Sequence, residues 1–359
     1  MRLYLSILAA AALLAGCGEQ AKLPVEAGTG PNPALPPPSQ TMLPTVQVAA
    51  VRGWDESSVP AAAPGLRAAS FADDLDHPRW LYVLPNGDVL VAESNRPPKG
   101  EEAGEGVKGF FKRMMMKKAG AGTPSANRIT LLRDSDGDGK AELRRVFIEG
   151  VQSPFGMVLV GNDLYVAEAD AVRRFPYRSG ETRIASTGEK LVDLPGGPRN
   201  HHWTKSLVAS RDGRFLYVGV GSNSDHGENG MAEEEGRAAI WEIERHTGRH
   251  RIYADGLRNP VGLAFEPASN RLWTVVNERD ELGSDLVPDY LTSVRDGVFY
   301  GWPWAYWGQH VDERVKPPRP TWWPGLSHPT TRSAITWHPW ASPSPKAALS
   351  PSGSAPAPS

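Results

Sequence analysis

The stretch LRNPVGLAFEPASNRLWTVVNE, residues 257–278, decides how the rest of the chain reads. It opens on Arg258 and Asn259, runs on as VGLAF, breaks at Pro267-Ala268-Ser269-Asn270 and resumes as RLWTVV. Two short β-rich runs split by turn formers predict paired antiparallel strands rather than a helix. The same order occurs three times earlier, in residues 75–93 (LDHPRWLYVLPNGDVLVAE), 151–169 (VQSPFGMVLVGNDLYVAEA) and 202–222 (HWTKSLVASRDGRFLYVGVGS). Their turns fall at Pro85-Asn86-Gly87-Asp88, Gly161-Asn162-Asp163 and Arg211-Asp212-Gly213. Divergent copies at intervals of roughly 50–75 residues predict blades of an all-β propeller. In that fold the first strand of each blade lines a central channel. The residues opening the copies then meet at one mouth: His77-Pro78-Arg79, Ser153-Pro154-Phe155, His201-His202-Trp203 and Arg258-Asn259-Pro260. The blander alternative is that these polar residues only cap strand ends.

Composition agrees with many short strands: the 359 residues include 37 Gly and 33 Pro, a turn-rich balance. A net charge of −2 leaves no global basic field to recruit nucleic acid. The single cysteine, Cys17, excludes a disulfide within the chain. It follows Met1-Arg2 and the run LYLSILAAAALLAG, which reads as a secretory signal too short for a comfortable membrane span. Leu14-Ala15-Gly16-Cys17 resembles a bacterial lipobox, so residues 1–17 predict a lipoprotein signal with Cys17 lipidated. The alternative is an ordinary signal peptide or hydrophobic anchor. Gly18 after the cysteine favours an outer-membrane tether facing the periplasm.

Residues 18–66, with PNPALPPPSQ and AAAPG, read as a Pro-stiffened flexible linker. The propeller domain is expected over 67–318, interrupted by an insertion at 97–127. There Phe110, Phe111, Met114 and Met115 could share one helical face among lysines, to meet a membrane surface or an electron-accepting partner, or simply to pack on the propeller. Asp134, Asp136 and Asp138 alternate ahead of Gly139, as in the start of a calcium loop. Arg145 stands at the twelfth position and strands flank the segment, so an EF-hand is excluded; a hairpin tip that binds calcium or merely turns is left. Residues 279–310, dense in carboxylates, Tyr and Trp, read as a ligand-facing loop, with Trp302, Trp304 and Trp307 as a rim on which a ring could stack. The pattern then stops. No acidic residue follows Glu313, and residues 319–359 read as a low-complexity, disordered tail. The abrupt change of residue usage suggests a frameshift, and four recognisable blades predict an incomplete ring.

Four ordered motifs carry a family resemblance: HHWTKSLV, GVGSNS, GLRNPVGLAFEP, and NERDELGSDLVPDYL leading into GWPWAYWGQH. Residues 67–318 thereby resemble the bacterial soluble PQQ-dependent sugar dehydrogenases, particularly the sorbosone dehydrogenase-like branch. The resemblance implies a six-bladed propeller with PQQ and Ca²⁺ in the channel mouth, oxidising an aldose or sugar aldehyde. It implies His202 as catalytic base with His201 beside it, Arg258 and Asn259 as a pair contacting PQQ, and Asn223 as a further cofactor contact. Arg279 and Asp280 would offer backbone carbonyls to calcium, with Glu278 and Asp285 as supporting carboxylates. Arg258 would also steady developing oxyanion charge. A sugar or aldehyde substrate and a periplasmic cytochrome or quinone as electron acceptor follow from the same resemblance. The competing readings are a calcium-dependent lactonase-type hydrolase and a non-catalytic carbohydrate-binding propeller.

Overall fold

A computed structural model of the chain describes residues 21–30, 32–39, 59–98, 123–308 and 310–318, together with the strand at 334–335. The signal segment with Cys17, most of the insertion (99–122) and nearly all of the tail lie outside the described residues. Among the described residues no helix is long and apolar enough to cross a membrane.

The repeats fold as four four-stranded antiparallel sheets. The first holds β1 (Pro78–Val83), β2 (Val89–Glu93), β3 (Arg128–Arg133) and β4 (Leu143–Glu149); the second holds β5 (Met157–Val160), β6 (Asp163–Ala167), β7 (Ala171–Pro176) and β8 (Glu189–Asp193). The third comprises β9 (Leu207–Ala209), β10 (Phe215–Val220), β11 (Ala239–Glu244) and β12 (His250–Asp255). In the fourth, β13 (Pro260–Phe265), β14 (Leu272–Val276) and β15 (Asp289–Val294) are joined by β18 (Ala334–Ile335), while β16 (Ala305–Tyr306) and β17 (His310–Val311) form a separate hairpin. Part of the stretch read as a ligand-facing loop is therefore strand. Tyr290, Thr292 and Val294 of β15 alternate inward against β14, a period-2 signal masked in the sequence by flanking carboxylates.

Each junction between neighbouring sheets is one apolar cluster. Leu90, Ala92, Ile129, Leu131 and Phe147 of the first sheet meet Met157, Leu164 and Val166 of the second. Tyr165, Ala167 and Val172 then meet Leu216, Val218 and Val220, and Ile240 and Ala254 meet Leu272, Val276 and Tyr290. Burial of each Leu, Ile, Val, Met or Phe among them contributes about 1.5–3 kcal/mol, so face-to-face stacking of sheets holds the molecule together. Among the described residues the architecture is an incomplete propeller of four blades. On the outer faces of the two terminal blades apolar side chains stay in water: Leu81 is 44 % and Val83 63 % exposed on β1, and Val275 43 % on β14.

The inner strands β1, β5, β9 and β13 converge, as the repeat predicts. Phe155, Ala169 and Trp203 form a buried cluster into which Trp80 and Val261 pack. Backbones come close enough there that a Cβ on Gly156 would lie 2.6 Å from the carbonyl oxygen of Lys205. Part of the stretch read as a flexible linker is seated on the molecule. The Lys22 and Leu23 amides donate to Asp285 at 2.8 and 3.3 Å, Ser39 N donates to the Leu282 carbonyl at 2.8 Å, and Leu35 packs on Leu282, Leu286 and Tyr306.

Candidate active site

His202 stands just before β9, on a turn fixed from several sides. Its backbone N–H donates to the Ser222 carbonyl at 3.4 Å. Its Nδ1 lies 2.8 Å from that same carbonyl and 3.0 Å from Ser222 Oγ. The Ser222 hydroxyl proton is committed to the Ser224 carbonyl at 2.6 Å. Both neighbours of Nδ1 can thus only accept, so Nδ1 carries the ring proton and Nε2 keeps its lone pair. Burial above all, then the charges of Arg258, His201 and Arg96, hold the His202 pKa well below the ordinary histidine value. A neutral imidazole with a free Nε2 can take a proton.

Lys205 underpins this turn. It is fully buried, and its Nζ donates to the carbonyls of His202 and Trp203, each at 3.2 Å. Burial first, then Arg237, lowers its pKa to about 7, against the opposing pull of Asp170. His201 is exposed; its N–H donates to Asn223 Oδ1 at 3.1 Å and its ring lies edge-on to His202 at 4.7 Å. Asn223 is itself held by Glu234 through its N–H at 2.7 Å and lines a cavity of about 360 Å³ with Arg199, Glu233 and Arg237. Its amide thus positions the histidine pair from the cavity wall.

Arg258 is placed differently from the expectation that it contacts the cofactor. Its side chain is 3 % exposed. Nε donates to the Asp225 carbonyl, Nη1 to the carbonyls of Asn277 and Glu278, and Nη2 to Asp225 Oδ1 and Asp280 Oδ2. These acceptors match all five N–H groups of a guanidinium, leaving none for a ligand. Burial opposes the charge, but Asp225, Asp280 and Glu278 outweigh it and raise the pKa. Arg258 therefore acts on the site through its field. Asn259 differs: it is 7 % exposed and its Oδ1 has no hydrogen-bond partner. Gly221 lets it approach, since a Cβ there would clash with Asn259 Oδ1 and sit 2.5 Å from His202 Cβ.

The expected calcium loop is closed by guanidinium groups. The Glu278 carbonyl accepts from Arg258 at 2.5 Å and the Asp280 carbonyl from Arg314 at 3.1 Å. Glu278 pairs with Arg279, whose buried side chain also reaches Asp312 and the carbonyls of Pro303 and Ala305. Asp285 points away, to the N-terminal segment. Of the four expected ligands, guanidinium groups thus hold the Asp280 carbonyl and the Glu278 carboxylate and backbone amides hold Asp285, so these three are not free for a calcium ion as arranged. Asp289 accepts from Glu278 N at 2.8 Å; burial first, then the charge of Glu278, pushes its pKa up to about 7.

Asp134, Asp136 and Asp138 do come together, joined by Glu142, with oxygens within 4.8 Å of one another. They sit on the β3–β4 hairpin. The register sets Arg128 beside Glu93 and Pro78 at the mouth, so this hairpin is at the opposite end of the blade. All four carboxylates also accept turn N–H groups: Asp134 from Gly137 and Gly139, Asp136 from Asp138, Asp138 from Lys140, and Glu142 from Ser135. The tryptophans do not make a common rim: Trp302 is 3 % exposed and donates to the Asp225 carbonyl at 2.9 Å, and Trp307 packs edge-on to Tyr290. Asp225, Lys205, Ser222 and Arg314 were not singled out by sequence.

Comparison with known proteins places this geometry. A sequence model described as TrAA12-like matches residues 126–289. The chain is 39 % identical over 272 residues to the aldose sugar dehydrogenase YliI of Escherichia coli K12, covering 70 % of this chain and 66 % of that one. It spans 42, 66 and 61 % of the lengths of the curated relatives it matches. The fold is shared with the family AA12 carbohydrate-active enzyme of Trichoderma reesei, at TM-score 0.54 and 17 % identity over 74 % of this chain and 66 % of that one. It is shared also with the PQQ domain of pyranose dehydrogenase from Coprinopsis cinerea, at TM-score 0.53 and 18 % identity over 72 and 62 %. With the paired sequence motifs and the four-bladed architecture, these likenesses show that the chain belongs to the PQQ-dependent sugar dehydrogenase family.

Proposed function

We propose that this chain oxidises an aldose or a related sugar aldehyde, with PQQ as hydride acceptor and His202 as the base. The observation that carries the proposal is the fixed tautomer of His202, whose Nδ1 is held by Ser222 so that Nε2 keeps its lone pair as an acceptor. The residues fit the cofactor at one further point: buried Asn259 Oδ1 lacks a partner beside the close approach that Gly221 permits. Asn259 would hold PQQ there. When bound, PQQ supplies a quinone that accepts the hydride. His202 takes the hydroxyl proton of the sugar, Lys205 keeps the turn beneath it in place, and burial, aided by the charge of Arg258, holds the imidazole neutral between turnovers.

Calcium is expected from the family resemblance, but with the Glu278 carboxylate and the Asp280 carbonyl on guanidinium groups no step is assigned to a metal here. The lactonase alternative wants a carboxylate centre at the mouth; among the described residues the carboxylate group at metal spacing lies on the far hairpin. Lipidation of Cys17, an outer-membrane tether facing the periplasm, and electron transfer to a cytochrome or quinone complete the proposal.

The test pairs binding with turnover. PQQ should raise the melting temperature of the purified chain, because a ligand stabilises the state that binds it. His202→Gln should keep that rise while dye-linked sugar oxidation falls about 10²–10⁴-fold. Unchanged turnover in the variant would overturn the assignment of the base.

A further inference from the structure

Among the described residues, two arginines at the mouth have no acidic partner. Arg79 opens β1, and its guanidinium lies over the ring of Trp203 with 5.3 Å from Cζ to the centroid. Its Nε is buried without a hydrogen-bond partner. Arg96 follows β2, and its Nη2 donates to the His201 carbonyl at 3.0 Å. Among the described residues neither forms an ion pair. Six other shielded arginines do, Arg128 with Glu93, Arg133 with Asp88, Arg173 with Glu168, Arg258 with Asp225, Arg279 with Glu278 and Arg314 with Asp312, while buried Arg237 instead donates to Asn200 Oδ1 and the Gly196 carbonyl. Burial and the neighbouring charge of Arg96 depress the Arg79 pKa, so the two cations press on each other. Two like charges set on an aromatic floor of Trp203 and Phe155 cost free energy unless an anion neutralises them.

We propose that Arg79 and Arg96 form an anion subsite beside His201 and His202 that takes the carboxylate of a sugar acid of the uronic class. Two guanidinium edges match a planar carboxylate. A phosphate dianion would draw on a helix N-terminus or a nest of amides, and no α-helix forms among the described residues. The aromatic floor lowers the local dielectric, which strengthens the pairing, and the indole face adds cation–π attraction to Arg79. Arg96 is tied to the backbone of His201, so an anion held there lies next to His201 and the proposed base His202. The subsite stands on its own geometry; only its place in a sugar-oxidising centre rests on the function proposed above. The tricarboxylate PQQ is a second source of the same chemistry.

The experiment is calorimetric titration of the purified chain without cofactor, using D-glucuronate, D-glucose, glucose 6-phosphate and PQQ. Glucuronate should bind about tenfold more tightly than glucose, with a preference that shrinks in high salt. Arg79→Gln and Arg96→Gln should each reduce that preference toward one, and Arg79→Lys should restore part of it. If the acid shows no preference but Arg79→Gln weakens PQQ about tenfold, the subsite stands and its carboxylate is the cofactor's. Equal binding of acid and neutral sugar with unaltered PQQ affinity overturns the proposal, as does tighter binding of glucose 6-phosphate than of glucuronate. Loss of turnover with these binding differences intact would count against the dehydrogenase reading and leave the subsite standing. Should a variant fail to fold, the preference and salt dependence of the unaltered chain decide the matter.

Discussion

His202 and Lys205 are both buried in forms that resist protonation, and their linkage to folding can be separated by pH. The folded pKa of His202 lies below its unfolded value, so as pH falls through the ordinary histidine range the unfolded chain takes up a proton that the folded chain refuses. Stability contributed by this neutral histidine is therefore present above that range and lost below it. Lys205 acts in a higher window. Between its folded pKa of about 7 and the unfolded value of 10.5, only the unfolded chain holds the proton, so stability rises with pH across that interval. Urea midpoints measured at pH 7 and 9.5 should show that rise in the unaltered chain and a flatter response in Lys205→Met. Equal slopes would mean that Lys205 titrates normally. The variant also strands the carbonyls of His202 and Trp203, at a cost of about 1–3 kcal/mol each. For catalysis the sign is simpler: the base must be unprotonated, so the acid limb of kcat/KM should fall below the ordinary histidine pKa.

At the scale of elements, the close seating of β13 against the end of β10 depends on Gly221. Gly221→Ala would drive a methyl group into Asn259 and His202. Overpacking of this kind costs about 1–3 kcal/mol, and a thermal melt should register it, with loss of the PQQ-induced rise at temperatures where the chain is still folded. Leu131→Ala, at the junction of the first two blades, should cost about 2–5 kcal/mol without touching the site. The strands involved were legible in sequence because each blade repeats a strand, a turn and a strand, and period-2 alternation marks the buried face. Thus residues 75–93, 151–169, 202–222 and 257–278 gave β1–β2, β5–β6, β9–β10 and β13–β14. The site was legible only where a motif keeps its parts adjacent, as with His201, His202, Arg258 and Asn259. Asp225 meets Arg258, Arg314 and Asp280 N from distant positions, and nothing local in SNSDHG announces that meeting. The seating of residues 21–39 was equally hidden, since Pro-rich composition speaks of stiffness and is silent on docking.

Across the whole molecule, the terminal blades present Leu81, Val83 and Val275 to water. Exposed apolar strand faces associate, so the chain should self-associate with rising concentration in light scattering. Leu81→Lys together with Val275→Lys should reduce that association and the binding of a hydrophobic dye; unaltered association would mean another surface is responsible. The docked N-terminal segment carries a different consequence. Asp285 grips the amide of Lys22, and only five positions separate Lys22 from Cys17. A fully extended chain of that length reaches about 18 Å at most. In the lipid-anchored form proposed above, the enzyme is moored on a short line by the very loop that borders its catalytic mouth. In that form the molecule could not swing freely above the bilayer, since Lys22 would stay within that reach of the lipid. Lengthening the line with fifteen Gly and Ser residues between Cys17 and Lys22 should slow electron delivery to a membrane quinone while leaving the soluble-dye assay alone.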